Sequence, residues 1–313
     1  CAVSVKFCSR SLCLSPVSFI YILSPENAST RNRVLSQSDL PQSTQHLPPG
    51  LRPATRGTAK GYAPLRSIMA LILREMATRF GTKPGGYIWA IVQPLAIILM
   101  LAFAFSLLQR SPSLGTSYIL FKATGILVFQ MFKQNSTLIA KSLSQASSLL
   151  EYPRIVWIDA VVARFVLNVM IGLIVSWIIL GGVMIYEDIR TVLDWSKILT
   201  AYALAALMAL GVGTLNIYMF MRFPVTDNIW RILTAPLMIM SGVIILYDDL
   251  PYLAQKYLWY NPLIHITGLI RDGFYPIYRP EYISITYVLL WALIPMVLGL
   301  LLVRRHHRDL LAR

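Results

Sequence analysis

"LREMATRFGTKPGGYIWAIVQP", Leu73 to Pro94, joins a basic helical pattern to an apolar run across Gly81, Pro84, Gly85 and Gly86. Leu65, Ile68, Met69, Ile72, Leu73, Met76 and Phe80 recur on one helical face, and Arg66, Arg74, Glu75, Thr78 and Arg79 fall on the other. Such a helix lies in the headgroup plane of a bilayer, with Arg74 and Arg79 near anionic lipid. The alternative reading is an ordinary polar flank of a membrane helix. The glycines and the proline end the helix and permit a sharp bend. Tyr87 and Trp89 are the residue types found where a spanning helix enters hydrocarbon.

Composition extends that reading to the whole chain. Of its 313 residues, 56% are hydrophobic and 13% charged, against about 25% charged in a soluble domain. Six apolar stretches, about 87–108, 117–133, 157–185, 197–221, 229–247 and 284–303, approach the ~20 residues a spanning helix needs. The formal net charge is +14. The basic residues sit at the ends of apolar runs rather than on one polar domain, which argues for membrane topology and against nucleic acid. One set of flanks holds Arg66, Arg74, Arg79, Lys83, Lys133, Lys141, Arg154, Arg164, Arg222, Arg231, Arg304, Arg305, Arg308 and Arg313. The alternate loops hold only Arg110, Arg190, Lys197, Lys256, Arg271 and Arg279. The imbalance places both termini in the cytoplasm, as an even number of spans requires.

Residues 1–64 are rich in Ser, Pro, Thr and Gln and carry no core-forming pattern, so they read as a disordered leader. Leu12 to Leu23 follows Lys6 and Arg10 as a signal peptide would, but Ser15, Pro16 and Ser18 interrupt it. The expectation is a dispensable tail, with the functional start near Met69. Cys1, Cys8 and Cys13 match no zinc spacing and no disulfide framework. The organisation is then a leader (1–64), an amphipathic interface helix (65–86), a six-span domain (87–303) and a basic tail (304–313).

Three stretches carry a resemblance: the opening one, "LLEYPRIVWIDAVVAR" (149–164) and "YLWYNPLIHITGLIRDGFYP" (257–276). In this order they resemble the permease subunit of bacterial capsule and O-antigen ABC exporters, of the type-2 ABC permease class, over about 66–310. The resemblance implies an all-α membrane protein. Six transmembrane helices are preceded by a cytoplasmic-side amphipathic interface helix, with re-entrant helices broken at Pro262 between the last two spans. It further implies a homodimer with two copies of a separate ABC ATPase in the bacterial inner membrane, exporting a lipid-linked polysaccharide. The chain has no G-x-x-x-x-G-K-[ST] phosphate loop, since "GTKPGG" lacks the Lys-Ser/Thr pair. ATP and Mg are therefore expected on the partner subunit, with no cofactor and no enzymatic activity here. By resemblance, Glu151, Tyr152, Pro153 and Arg154 contact the ATPase as part of a coupling helix. A solvated connecting loop is the alternative.

A sliding polymer suits aromatic faces, and the outward loop offers Tyr257, Trp259, Tyr260, Phe274 and Tyr275. These residues serve equally well as interfacial anchors. Lys122 lies inside the second apolar stretch, where a charge costs about 2.5–3.5 kcal/mol on insertion scales. It either faces the interior, where it attracts an anionic polymer or lipid phosphate, or snorkels to the outer headgroups. Asp159 and Arg164 read as a pair about one turn apart. Ala205, Ala206, Ala209, Gly211 and Gly213 read as close helix packing. A secondary transporter would place carboxylates mid-membrane, which these stretches lack. A membrane transferase needs acid–base groups, and His46, His265, His306 and His307 form no evident cluster. Export of another lipid, a teichoic acid or a drug by the same class stays open.

Overall fold

The computed structural model describes residues 63–80, 85–108, 113–150, 157–189 and 191–311. Among them the secondary structure is helical throughout: α1 (Ala63–Phe80), α2 (Gly86–Leu108), α3 (Tyr118–Ala140), α4 (Ser142–Leu150), α5 (Trp157–Tyr186), α6 (Trp195–Arg222), α7 (Val225–Met240), α8 (Tyr252–Leu258), α9 (Pro262–Phe274) and α10 (Ile285–Leu311). A short 3₁₀ turn, Tyr247–Asp249, precedes α8. Among the described residues four helices, α2, α5, α6 and α10, are long and apolar enough to cross a membrane.

α3 has the length of a span but carries Lys122, Gln130, Lys133, Gln134 and Asn135. It is the helix the others surround, packing on α6, α5, α2 and α9. Burial against protein rather than lipid lets a helix of mixed polarity sit there. α6 and α10 form the closest pair. A Cβ at Gly211 would run into the carbonyl oxygen of Ala292, and one at Gly299 into the backbone of Thr214 and Leu215. Gly213 performs the same service against Ile139 of α3. Small residues thus bring backbones together, as the spacing in the fourth stretch leads one to expect.

The apolar stretch at 229–247 is not one helix. α7 starts earlier, at Val225, and ends at Met240, because Gly242 takes φ 71° in a left-handed turn. Side chains take up the carbonyls freed there. Asn261 Nδ2 donates to Met240 O at 3.0 Å, and Thr267 Oγ1 donates to Ser241 O at 2.7 Å. The same Asn261 caps α9 by accepting from Leu263 N at 3.1 Å. Pro262 occupies the first turn of α9, where its missing N–H is not needed. The break expected at Pro262 thus falls between two short helices, α8 and α9, with Pro262 opening the second. α9 is buried along nearly its whole length against α6, α3 and α10.

α1 corrects two expectations. Glu75 turns toward α5, and Arg164 Nη2 meets Glu75 Oε2 at 3.2 Å, while Arg164 Nη1 donates to Lys141 O at 3.1 Å. The anticipated partner, Asp159, lies five residues before Arg164, about 140° away around the helix at 100° per residue. Ile68, Leu71, Ile72 and Met76 are half-buried, whereas Met69 and Leu73 are exposed, Leu73 at 63%. The apolar stripe is thus shared between protein and surroundings. Glu75→Lys should release α1, because it leaves a buried guanidinium facing a like charge. The cost is up to about 3 kcal/mol. A nitroxide label at Met69, in a background without the native cysteines, should gain mobility. Unchanged mobility would remove the ion pair from the docking of α1.

Candidate functional site

Two polar regions lie at opposite ends of the helical assembly. The first is a cavity of about 830 Å³ between α2, α3, α5 and α7. α3 supplies Gln130, Lys133, Gln134 and Asn135; α2 supplies Trp89 and Gln93; α5 supplies Asn168 and Ser176; α7 supplies Trp230, Arg231 and Thr234. Among the described residues no carboxylate lines it. Gln130 and Gln134 share a face at i,i+4, and Gln134 Nε2 donates to Gln130 Oε1 at 2.9 Å. Asn135 uses its amide to donate to Met131 O at 2.7 Å, so its buried Oδ1 is left without a partner. Trp230 packs edge-on against Phe132 with ring centroids 6.4 Å apart, and its indole N–H has no partner either. Buried polar atoms of this kind are costly unless something binds them.

At the rim, one carboxylate oxygen serves two cations. Asp227 Oδ2 lies 2.6 Å from Arg231 Nη2 and 3.0 Å from Nζ of Lys141, the residue that ends α3. Its other oxygen, Oδ1, is buried and unpartnered. Asp227 sits in the first turn of α7, where the helix dipole favours an anion.

The second region lies around the break after α7. Lys122 and Arg271 are buried, at 2% and 1% exposure. Lys122 Nζ donates to Ile244 O, and Arg271 Nη2 donates to Val243 O at 3.2 Å. Two cations from α3 and α9 thereby cap the carbonyls of the non-helical segment. Phe121 lies between them, 4.1 Å from Arg271 Cζ and 5.0 Å from Lys122 Nζ, and Phe105 lies 4.0 Å from Lys122. Beside this pair stands a group of phenols. Tyr247 and Tyr282 approach to 4.1 Å between centroids, and the Tyr278 and Tyr282 hydroxyls are 3.3 Å apart. Burial pushes the Tyr275 and Tyr278 phenols above the ordinary tyrosine value and that of Tyr282 up to about 12. They stay neutral hydrogen-bond donors at physiological pH. Trp259 completes the region, edge-on to His265 at 5.3 Å and tilted against Tyr287 at 5.1 Å between ring centroids.

The residues anticipated from sequence are dispersed. Phe274 and Tyr275 are buried beside this second region, Trp259 is half-buried, and Tyr257 and Tyr260 point outward, Tyr257 at 74% exposure. Trp89 lines the cavity at the other end. Arg74 is exposed on α1. Glu151, Tyr152, Pro153 and Arg154, and the side chain of Arg79, lie outside the described residues. Sequence reasoning missed the cavity glutamines, Asn135, Asp227, Arg231 and the burial of Arg271. The glutamines left a signal, since Gln130 and Gln134 are polar, at helical spacing, at the end of an apolar run. Among the described residues, no group of three His, Cys, Asp or Glu could hold a metal ion.

The sequence pattern of the family described as "ABC-2 type transporter" matches residues 66–275. The chain is 26% identical over 245 residues to the polysialic acid transport protein KpsM of Escherichia coli, covering 78% of this chain and 95% of that one. It is 28% identical over 244 residues to the capsule polysaccharide export inner-membrane protein CtrC of Neisseria meningitidis, covering 78% and 92%. It is 27% identical over 245 residues to the capsule polysaccharide export inner-membrane protein BexB of Haemophilus influenzae, again covering 78% and 92%.

Proposed function

We propose, since this chain belongs to the ABC-2 type transporter family, that it is the permease subunit of an exporter moving a lipid-linked capsular or O-antigen-type polysaccharide across the bacterial inner membrane. One observation carries the cargo: relatives from three organisms, named for capsule polysaccharide or polysialic acid, are matched over nearly their whole lengths. In this reading α3 and α7 cross the membrane with α2, α5, α6 and α10. The 16 residues of α7 reach about 24 Å at 1.5 Å each, and the chain beyond Gly242 supplies the remaining depth under cover of α3 and α9. α8 and α9 are re-entrant from the outside. The end bearing Lys133, Lys141, Arg164, Arg222 and Arg231 faces the cytoplasm, with both termini. α1 lies against the cytoplasmic leaflet, with Leu73 and Met69 in lipid and Arg74 and Arg79 among headgroups.

Two such chains pair with two ATPase subunits, which bind ATP and Mg and engage Glu151–Arg154 beyond α4. Their strokes shift the helices around the cavity so that sugar taken up there leaves past the Tyr and Trp cluster at the other end. The chain itself positions cargo and performs no bond-breaking chemistry.

A capsule-deficient strain lacking its own permease should regain surface polysaccharide when this chain is expressed with its ATPase. Glu151→Arg or Arg154→Glu should leave the protein in the membrane but abolish export, with loss of permease-stimulated ATP hydrolysis. Full export by both reversed variants overturns the coupling assignment. Export that persists with a catalytically dead ATPase overturns the exporter itself.

A further inference from the structure

We propose that the cavity between α2, α3, α5 and α7 is a binding site for an anionic sugar, a pyranose carrying a carboxylate or a phosphate, and that Asp227 is its internal competitor. The assignment of this ligand as export cargo rests on the polysaccharide reading above; the binding itself does not. At about 830 Å³ the space falls within the ~300–1,000 Å³ of ligand pockets. Among its lining residues, Asn135 and Trp230 each carry a buried polar atom without a partner, Oδ1 and the indole N–H. Sugar hydroxyls both donate and accept, which matches the amide side chains of Gln130 and Gln134 that line the space. Trp89 and Trp230 are among the lining residues, and an indole ring suits the CH-rich side of a pyranose.

Charge decides between neutral and acidic sugars. Among the described residues, the lining side chains include two cations, Lys133 and Arg231, and no carboxylate. Arg231 is an exposed side chain held only by Asp227 Oδ2, which it shares with Lys141. An anion in the cavity draws the Arg231 guanidinium off Asp227 and into a charge-assisted hydrogen bond. Asp227 then stays with Lys141 alone, at the junction of α3 and α4. Occupancy of the cavity is thereby registered at the start of the helix that leads to the coupling segment.

The test uses the permease with its ATPase in nanodiscs and three probes: a galacturonic acid tetramer, the same tetramer carboxyl-reduced to neutral galactose, and galactose 1-phosphate. Calorimetric titration at low salt should show an anionic probe bound about tenfold more tightly than its neutral counterpart, the worth of one charge-assisted contact. The preferred anionic probe identifies the source of charge, with the uronide pointing to carboxylates along the polymer and the sugar phosphate to its linkage end. Arg231→Gln should erase most of the preference for the anionic probe. Asp227→Asn should tighten anionic binding several-fold, a gain that misfolding cannot produce. Equal binding of acidic and neutral probes to the native protein overturns the proposal, as does an Asp227→Asn variant with no gain in anion affinity. Restored capsule without anion preference defeats this inference alone. Anion preference in a chain that restores no polysaccharide defeats the export reading alone.

Discussion

Leucine at Gly211 should abolish recovery of folded permease. α6 and α10 touch through backbone there and at Gly299, and the atoms in the way are main-chain atoms that no rotamer change can move. Overpacking typically costs about 1–3 kcal/mol where neighbours relax. Here the two longest-packed helices must separate, so the cost exceeds that range. The expected result is loss of the monodisperse peak after detergent extraction, with the remaining protein aggregated or degraded. Gly181→Leu and Gly182→Leu are the matched controls, since nothing lies within 4 Å of a Cβ at either position. They should extract and melt like the native chain. A Gly211→Leu protein with native melting temperature would remove the α6–α10 contact from the foundations of the fold.

Arg271→Ala should have the next largest effect. It strips the donor from Val243 O and leaves a guanidinium-sized void beside Phe121. An orphaned buried carbonyl costs about 1–3 kcal/mol and a cavity adds to it, so a loss of about 3–5 kcal/mol is expected. Lys122→Ala strips the donor from Ile244 O, and each single change also relieves the repulsion between two cations that share one aromatic ring. The double variant should accordingly lose more than the sum of the singles, because the repulsion is relieved once and not twice. Thermal unfolding of the four proteins checks this, and strict additivity would show that the two cations do not sense each other.

Much of the fold was written in local pattern. The apolar stretches at 87–108, 157–185, 197–221 and 284–303 became α2, α5, α6 and α10 because length and composition suffice to specify a helix in lipid. The break after α7 was not legible, since Ser241 and Gly242 are tolerated in spanning helices and the decision falls to Asn261 and Thr267, some twenty residues on. Glu75 was read onto the polar face of α1 because helical periodicity knows nothing of Arg164, which lies 89 residues away in sequence. The cavity escaped notice for a similar reason. Asn135, Asn168 and Trp230 belong to three helices, and only packing turns three scattered polar residues into one lining. Arg271 counted as a loop charge because its neighbours Asp272 and Arg279 are loop-like, whereas α9 buries it completely.

The contact between Lys122 and the carbonyl of Ile244 spans 122 residues of chain, and this has a consequence for biogenesis. A ribosome adding about 5–20 residues per second delivers Ile244 roughly 6–24 s after Lys122. Throughout that interval the ammonium has no native acceptor, while in the six-span arrangement proposed above α3 is already being handed to the membrane insertion machinery. α3 must therefore wait beside α2 in a protected, partly hydrated setting, and its final seating is post-translational with respect to its own synthesis. Slowing translation between residues 130 and 240 should lengthen the association of α3 with insertion factors, and Lys122→Met should shorten it.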